Sequence, residues 1–170
     1  MNIENEKIIK FVQLALKELY KNDKYLFECD VKEENLVFHF GRYFIELLKQ
    51  NNFDLDTYSV DFEYNRNIFN EKIYKEIVYE NIKHRIIPDL LLHIRGRNDG
   101  NIIAFEFKKR YNKNIKIDKM KLKALTDNNL EYKYQIGLLV IFNNGNNFKI
   151  ITFINGREVI FGEEKKGLIL

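Results

Sequence analysis

Residues 135–142 read "QIGLLVIF", an apolar run too continuous for a strand with one wet face. Half-buried strands alternate polar and apolar side chains, so this segment is expected to be a strand covered on both faces. Such a strand needs layers above and below it, which points to an α/β sandwich around a mixed central sheet. The rest of the chain supplies those layers. Ile8, Phe11, Val12, Ala15 and Leu19 recur at helical spacing within residues 6–21. Leu36, Phe40, Phe44, Leu47 and Leu48 do the same within residues 33–50. A lysine-rich third helix is expected over residues 115–128.

The period changes to two at Tyr58, Val60, Phe62 and Tyr64, which alternate with Ser59, Asp61 and Glu63 as a half-buried strand does. Strands are expected over residues 86–95 and 101–109, joined as a hairpin by the turn "GRNDGN". After the 135–142 strand, residues 148–154 and 157–161 read as two more. Residues 67–82, "NIFNEKIYKEIVYENI", read as either a helix or a long excursion and are taken as a partly helical insertion. With no internal repeat and no Pro/Ser/Gly-rich linker, the chain reads as one domain over residues 1–170. Residues 1–30 form a helical addition to it.

At 45% hydrophobic and 31% charged over 170 residues, the composition is that of a folded globular protein. One cysteine allows no internal disulfide, and no Cys/His spacing suggests zinc. No apolar run reaches the roughly 20 residues of a membrane span. The N-terminal stretch lacks the core of a signal peptide, so the chain is expected in the cytoplasm. The net charge of +3 is unevenly spread: residues 106–123 hold eight Lys/Arg and two acids. A patch of that kind attracts polyanions, and a lysine-rich solvated helix is its structural alternative.

Inside "RIIPDLLLHIRGRNDGNIIAFEFKKR" (residues 85–110), three charges interrupt strands that otherwise look like core: Asp89, Glu106 and Lys108. An unpaired buried charge is costly, so these positions need a reason. Glu106 and Lys108 share a strand face, opposite Phe105 and Phe107, and Asp89 lies across the hairpin. If the strands pair near these positions, two carboxylates converge, and a hard divalent cation such as Mg²⁺ relieves their repulsion. Lys108 beside it would assist an attacking water. Pro88, the only proline, withholds one N–H and makes the strand irregular beside Asp89. The structural alternative has Asp89 capping a turn and Glu106 and Lys108 forming an exposed ion pair.

"PD" at 88–89 and "EFK" at 106–108 resemble the signature of the PD-(D/E)XK nuclease superfamily. The flanking helices are similar to its restriction-endonuclease-like αβββαβ core, here over about residues 30–155. The order "E…H" (Glu34, His39), "EYNR" (63–66), Arg85 to His93, "E-x-K" and "D-x-x-KL" (118–122) resembles a group of small bacterial members. The chain departs from them in carrying Phe40 where an Arg follows the histidine. The resemblance implies a Mg²⁺-dependent nuclease, with Mn²⁺ able to substitute, acting on nucleic acid and by superfamily habit on DNA. It makes Asp89, Glu106 and the Phe107 carbonyl metal ligands, Lys108 the catalytic lysine, and Glu34 the acid completing the site, with Glu46 a second candidate.

Lys109, Arg110, Lys116, Lys119, Lys121 and Lys123 are the candidates for holding a nucleic-acid backbone. Lys121 tends inward near Asp118, so its charge needs a partner. Accessory candidates are Glu63 at the cleft, His39 contacting a phosphate or activating a leaving group, His93 lining the cleft beside Asp89, and Arg66 and Arg85 on phosphates. Each has a structural alternative: an exposed acid, a hydrogen-bonded core histidine, or a salt-bridged arginine. No base-reading module is evident, so specificity would come from loops, a homodimer or a partner protein. Two further readings are a catalytically silent nucleic-acid- or protein-binding adaptor, and a nuclease subunit active only in a larger complex.

Overall fold

The computed structural model describes residues 3–67, 74–79, 82–109, 115–143 and 147–159. Its elements are helices α1 (Ile3–Asn22), α2 (Lys24–Glu28) and α3 (Glu33–Gln50), then strands β1 (Ser59–Phe62), β2 (Glu76–Tyr79), β3 (Ile82–Arg85), β4 (Leu90–His93) and β5 (Ile103–Lys109). Helix α4 (Ile115–Thr126) and strands β6 (Ile136–Asn143), β7 (Asn147–Ile154) and β8 (Arg157–Val159) follow. Six strands form one sheet in the order β1-β4-β5-β6-β7-β8, and β2 and β3 form a separate ribbon. Only the β5–β6 pair is parallel among the described strands, because α4 carries the chain back between them. The protein is thus α/β, with a mixed sheet flanked by helices.

The two faces of the sheet are written into β5 and β6. Ile103, Phe105 and Phe107 pack with Ile136, Leu138 and Val140 under α1 and α3. Ala104, Leu139 and Ile141 face Leu122 and Leu125 of α4. Residues 136–142 are all buried, as the continuous apolar run requires. Phe40, Phe44, Phe105 and Phe107 lock α3 to β5, with ring centroids 5.0 to 5.7 Å apart. Each such buried ring contributes about 1.5–3 kcal/mol.

Helix α4 lies close on β6 because residue 137 is glycine. A Cβ there would stand 3.0 Å from Thr126 Cγ2 and 3.3 Å from Leu122 Cβ. The helix ends at Thr126, whose hydroxyl donates to the Leu122 carbonyl at 2.8 Å and accepts the Gly156 N–H at 3.2 Å. Asp118 and Lys121 are thereby held above β5.

The segment expected to be a partly helical insertion is corrected where it is described: residues 76–79 are strand. They pair antiparallel with β3 in the register Glu76↔Arg85 to Tyr79↔Ile82. Ile77 is buried against the α4 side, while Val78 and Ile82 stay 67% and 59% exposed. That one-sided burial is the alternation of a strand and overrides the helical reading of the same residues. The strand expected over 86–95 is divided at Pro88, which has no N–H to give a ladder. Its first part is irregular, its second is β4, and the chain before it is β3. Strand β1 also reverses part of its expected pattern, since Asp61 is buried and Phe62 is 37% exposed. The short helix α2 gave no sequence signal of its own.

Candidate active site

Beyond Pro88 the chain enters β4, and Leu90 pairs with Phe105. Asp89 therefore stands beside Glu106 at the next step of the antiparallel ladder. Its Oδ2 accepts the Phe107 N–H at 2.6 Å, and its carbonyl accepts the Glu63 N–H at 3.2 Å. Both ends of Asp89 are thus fixed. Burial raises its pKa to about 6, although the Phe107 N–H and the charges of Lys108 and Lys121 oppose the rise.

Glu106 is fully buried. Its Oε2 accepts from Lys121 Nζ at 3.0 Å, while Oε1 has no hydrogen-bond partner. Burial and the neighbouring charge of Asp89 push its carboxyl well above the usual range, against the pull of Lys121. Asp118, 3% exposed on α4, sits between two ammonium groups. Its Oδ1 is 3.4 Å from Lys121 and its Oδ2 3.5 Å from Lys108.

Lys108 Nζ donates to the Phe107 carbonyl at 2.9 Å and to Glu33 Oε1 at 3.0 Å. The second Glu33 oxygen accepts the Lys109 N–H at 2.9 Å, so the first turn of α3 is tied to the end of β5. Burial opposes the charge on Lys108, but the bond to Glu33 and the charges of Asp118 and Asp89 outweigh it and raise its pKa. Lys121 behaves alike: burial opposes its charge, and Glu106 and Asp118 restore it.

The structure thus brings Asp89, Glu106, Lys108 and Lys121 into one network and adds Glu33 and Asp118. Glu34, one position after Glu33, is exposed. The choice between adjacent glutamates turns on helix phase, which the sequence leaves open at a first turn. Asp118 had a signal in the inward tilt of Lys121, which called for a buried acid.

The remaining candidates lie elsewhere. Lys109 Nζ donates to Asp30 Oδ1 at 2.8 Å and to the Val31 carbonyl. Lys119 pairs with Glu158 at 2.9 Å, Lys116 and Lys123 are exposed, and Arg110 falls outside the described residues. His39 Nδ1 is 3.3 Å from Asp23, whose other oxygen accepts the Tyr43 hydroxyl. Glu46 is exposed and accepts from Gln50 at 3.3 Å. The Glu63 side chain is exposed, its residue held at φ 47° by the turn out of β1. His93 is buried at the far end of β4, where its Nε2 lies 3.0 Å from Asp61 Oδ2. Arg95 bridges both oxygens of that carboxylate. Burial opposes the charge on Asp61, but these two partners hold its pKa well below the usual range. Arg66 and Arg85 both stack on Tyr74.

No family model, curated protein or solved structure matches the chain. Among the described residues, no helix is long and apolar enough to cross a membrane. Also among these residues, no three His, Cys, Asp or Glu side chains stand close enough to hold a metal ion by themselves.

Proposed function

We propose that the protein is a metal-dependent phosphodiesterase acting on nucleic acid, built on a restriction-endonuclease-like core. One observation carries this reading: among the described residues of this largely buried network, the carboxylates of Glu33, Asp89, Glu106 and Asp118 outnumber the ammonium groups of Lys108 and Lys121 by two. Glu106 Oε1 is left without a partner. A single divalent cation supplies both the missing charge and the missing partner. Without it, the pKa values of Asp89 and Glu106 rise instead. The order α3, β1, β4, β5, α4, β6, with β5 parallel to β6, agrees with the αβββαβ arrangement and supports the same reading.

Asp89 and Glu106 would hold the ion with the Phe107 carbonyl, and water would complete its shell, since two carboxylates do not fill the positions of Mg²⁺ or Mn²⁺. When bound there, such an ion would supply Lewis acidity toward a phosphodiester. Lys108, kept as an ammonium by Glu33 and Asp118, is a donor that orients the attacking water; in that state it is not the base. Lys121 steadies Glu106 from the opposite side. DNA is the substrate class that the superfamily resemblance implies.

The test is cleavage of labelled single-stranded, double-stranded and branched DNA, and of RNA, with Mg²⁺ or Mn²⁺. Lys108→Ala is expected to lower a metal-dependent rate by about 10²–10³, the usual cost of losing one preorganised donor. Calorimetric titration of Mg²⁺ into wild type and Asp89→Asn reports the ion separately. Binding of the ion without cleavage of any substrate would favour the adaptor or the subunit awaiting a partner.

A further inference from the structure

Two arginines share one aromatic ring at the base of the β2–β3 ribbon. The guanidinium of Arg66 lies 4.6 Å from the centroid of Tyr74, and that of Arg85 lies 4.2 Å from it. Backbone pairing sets this up: Arg66 and Tyr74 form an isolated antiparallel bridge, and β3 delivers Arg85 opposite Glu76. The ring therefore acts as a splint, fixing two long side chains that would otherwise lose rotamer freedom on binding anything.

Counter-charge is scarce here among the described residues. Arg85 Nε is 3.8 Å from Glu76 Oε1 and Lys83 Nζ is 4.0 Å from Glu76 Oε2, both beyond hydrogen-bond reach. Arg66 has no carboxylate within ion-pair distance among the described residues, and its Nη1 is buried without a hydrogen-bond partner. Among the described residues, three cations thus face one loosely held acid, and the remaining guanidinium nitrogens are left to find acceptors outside the ribbon. Planar forks presented in pairs match the oxygens of a phosphate.

We infer that Arg66 and Arg85, splinted on Tyr74, form a clamp for a backbone phosphate of the polynucleotide whose neighbouring phosphodiester reaches Asp89 and Lys108. This rests on the phosphodiesterase reading for its substrate, and on the ribbon for its place. Asp89 follows Arg85 by four positions, so their Cα atoms are at most about 14 Å apart. The clamp holds the same strand a short way from the reacting bond, and it is basic where the cleft itself is acidic.

The experiment is fluorescence anisotropy of a labelled oligodeoxynucleotide, single-stranded and duplex, in EDTA over a range of salt. Wild type, Arg66→Gln, Arg85→Gln, Tyr74→Phe, Tyr74→Leu and Asp89→Asn are compared, with thermal melting to confirm folding. Each arginine variant is expected to weaken binding about tenfold at low salt. Each is also expected to flatten the slope of log K against log salt by about 0.7 on single strands or 0.9 on duplex. Tyr74→Leu should weaken binding and Tyr74→Phe should not. Unchanged slopes in both folded arginine variants, or no binding by wild type at low salt, would overturn the clamp. So would an equal loss of affinity for poly-glutamate, which would make the pair a general anion patch. Absence of metal-dependent cleavage by wild type, with the slopes behaving as stated, would sink the catalytic reading and leave the clamp standing.

Discussion

Lys121 Nζ lies 3.0 Å from Glu106 Oε2 and 3.4 Å from Asp118 Oδ1, joining the central strand β5 to helix α4 by a half-buried cation that meets two buried acids. Among the described residues, the ammonium is one of two positive charges set against the four carboxylates of the network. Removing it leaves Glu106 with neither oxygen satisfied, and breaking a buried pair from one side typically costs about 3–5 kcal/mol. Lys121→Met is therefore expected to lower stability by that order in metal-free buffer. Saturating Mg²⁺ should recover a large part of the loss, because the ion replaces the missing charge. Urea denaturation with and without Mg²⁺ measures both, and equal losses in the two conditions would mean that no cation reaches Glu106.

Asp89→Asn acts in the opposite sense. The amide oxygen can keep the bond from the Phe107 N–H while the buried negative charge is removed. With a folded pKa of about 6, above the ordinary carboxyl value of 3.8, Asp89 binds its proton more tightly in the folded state. Stability linked to that proton is present below pH 4 and is lost as pH rises through 6. The variant should escape this loss and, at pH 7 without metal, exceed wild type by on the order of 3 kcal/mol. Stabilisation of the protein by added Mg²⁺ should disappear with it. A variant less stable than wild type at pH 7 in EDTA would show that the carboxylate charge is needed even without the ion.

How much of this was readable in the chain differs from element to element. Helix α3 has the bounds that the spacing of Leu36, Phe40 and Phe44 suggests, and the continuous run at 135–142 does lie between two covered faces. Long periodic segments are legible because one face must be buried whatever the neighbours are. The β2–β3 ribbon was not, since one four-residue strand carries too few side chains to separate a period of two from one of 3.6. At the site, strand parity put Glu106 and Lys108 on one face, while the pairing of Leu90 with Phe105 that sets Asp89 beside Glu106 is a long-range fact. Glu33 over Glu34, and His93 with Asp61 instead of with Asp89, were equally out of reach. Each depends on where another strand or helix lies.

Gly41, in the middle of α3, costs helix propensity for a packing reason. A Cβ there would stand 2.1 Å from Phe62 Cζ, so the bare backbone is the seat for that ring. Gly41→Ala is expected to destabilise by about 1–2 kcal/mol, overpacking outweighing the better helix former. In a Phe62→Ala background the same change should gain up to about 1 kcal/mol. A double-mutant cycle by chemical denaturation checks the reversal of sign, and additive effects would place the strain somewhere other than this ring.

Lys75 gives the alkaline counterpart. It is 1% exposed, and its Nζ lies 5.0 to 5.9 Å from the ring centroids of Tyr64, Tyr132 and Tyr134. Burial lowers its pKa to about 8, with the charge of Glu131 opposing. Because the folded value lies below the unfolded value of about 10.4, the unfolded chain holds this proton more tightly between those two pH values. Stability linked to Lys75 therefore rises as pH increases from 8 to 10.4, and the penalty for burying the charge is fully present below 8. Lys75→Met keeps the length of the side chain among the three rings and removes the charge. It should raise stability at pH 7 by on the order of 3 kcal/mol, less whatever the ring faces return to the ammonium. The difference between variant and wild type should shrink across pH 8 to 10.4, which cancels the titration of other groups common to both. A difference that stays constant over that range would mean that Lys75 keeps its proton in the folded protein, held there by the tyrosine rings.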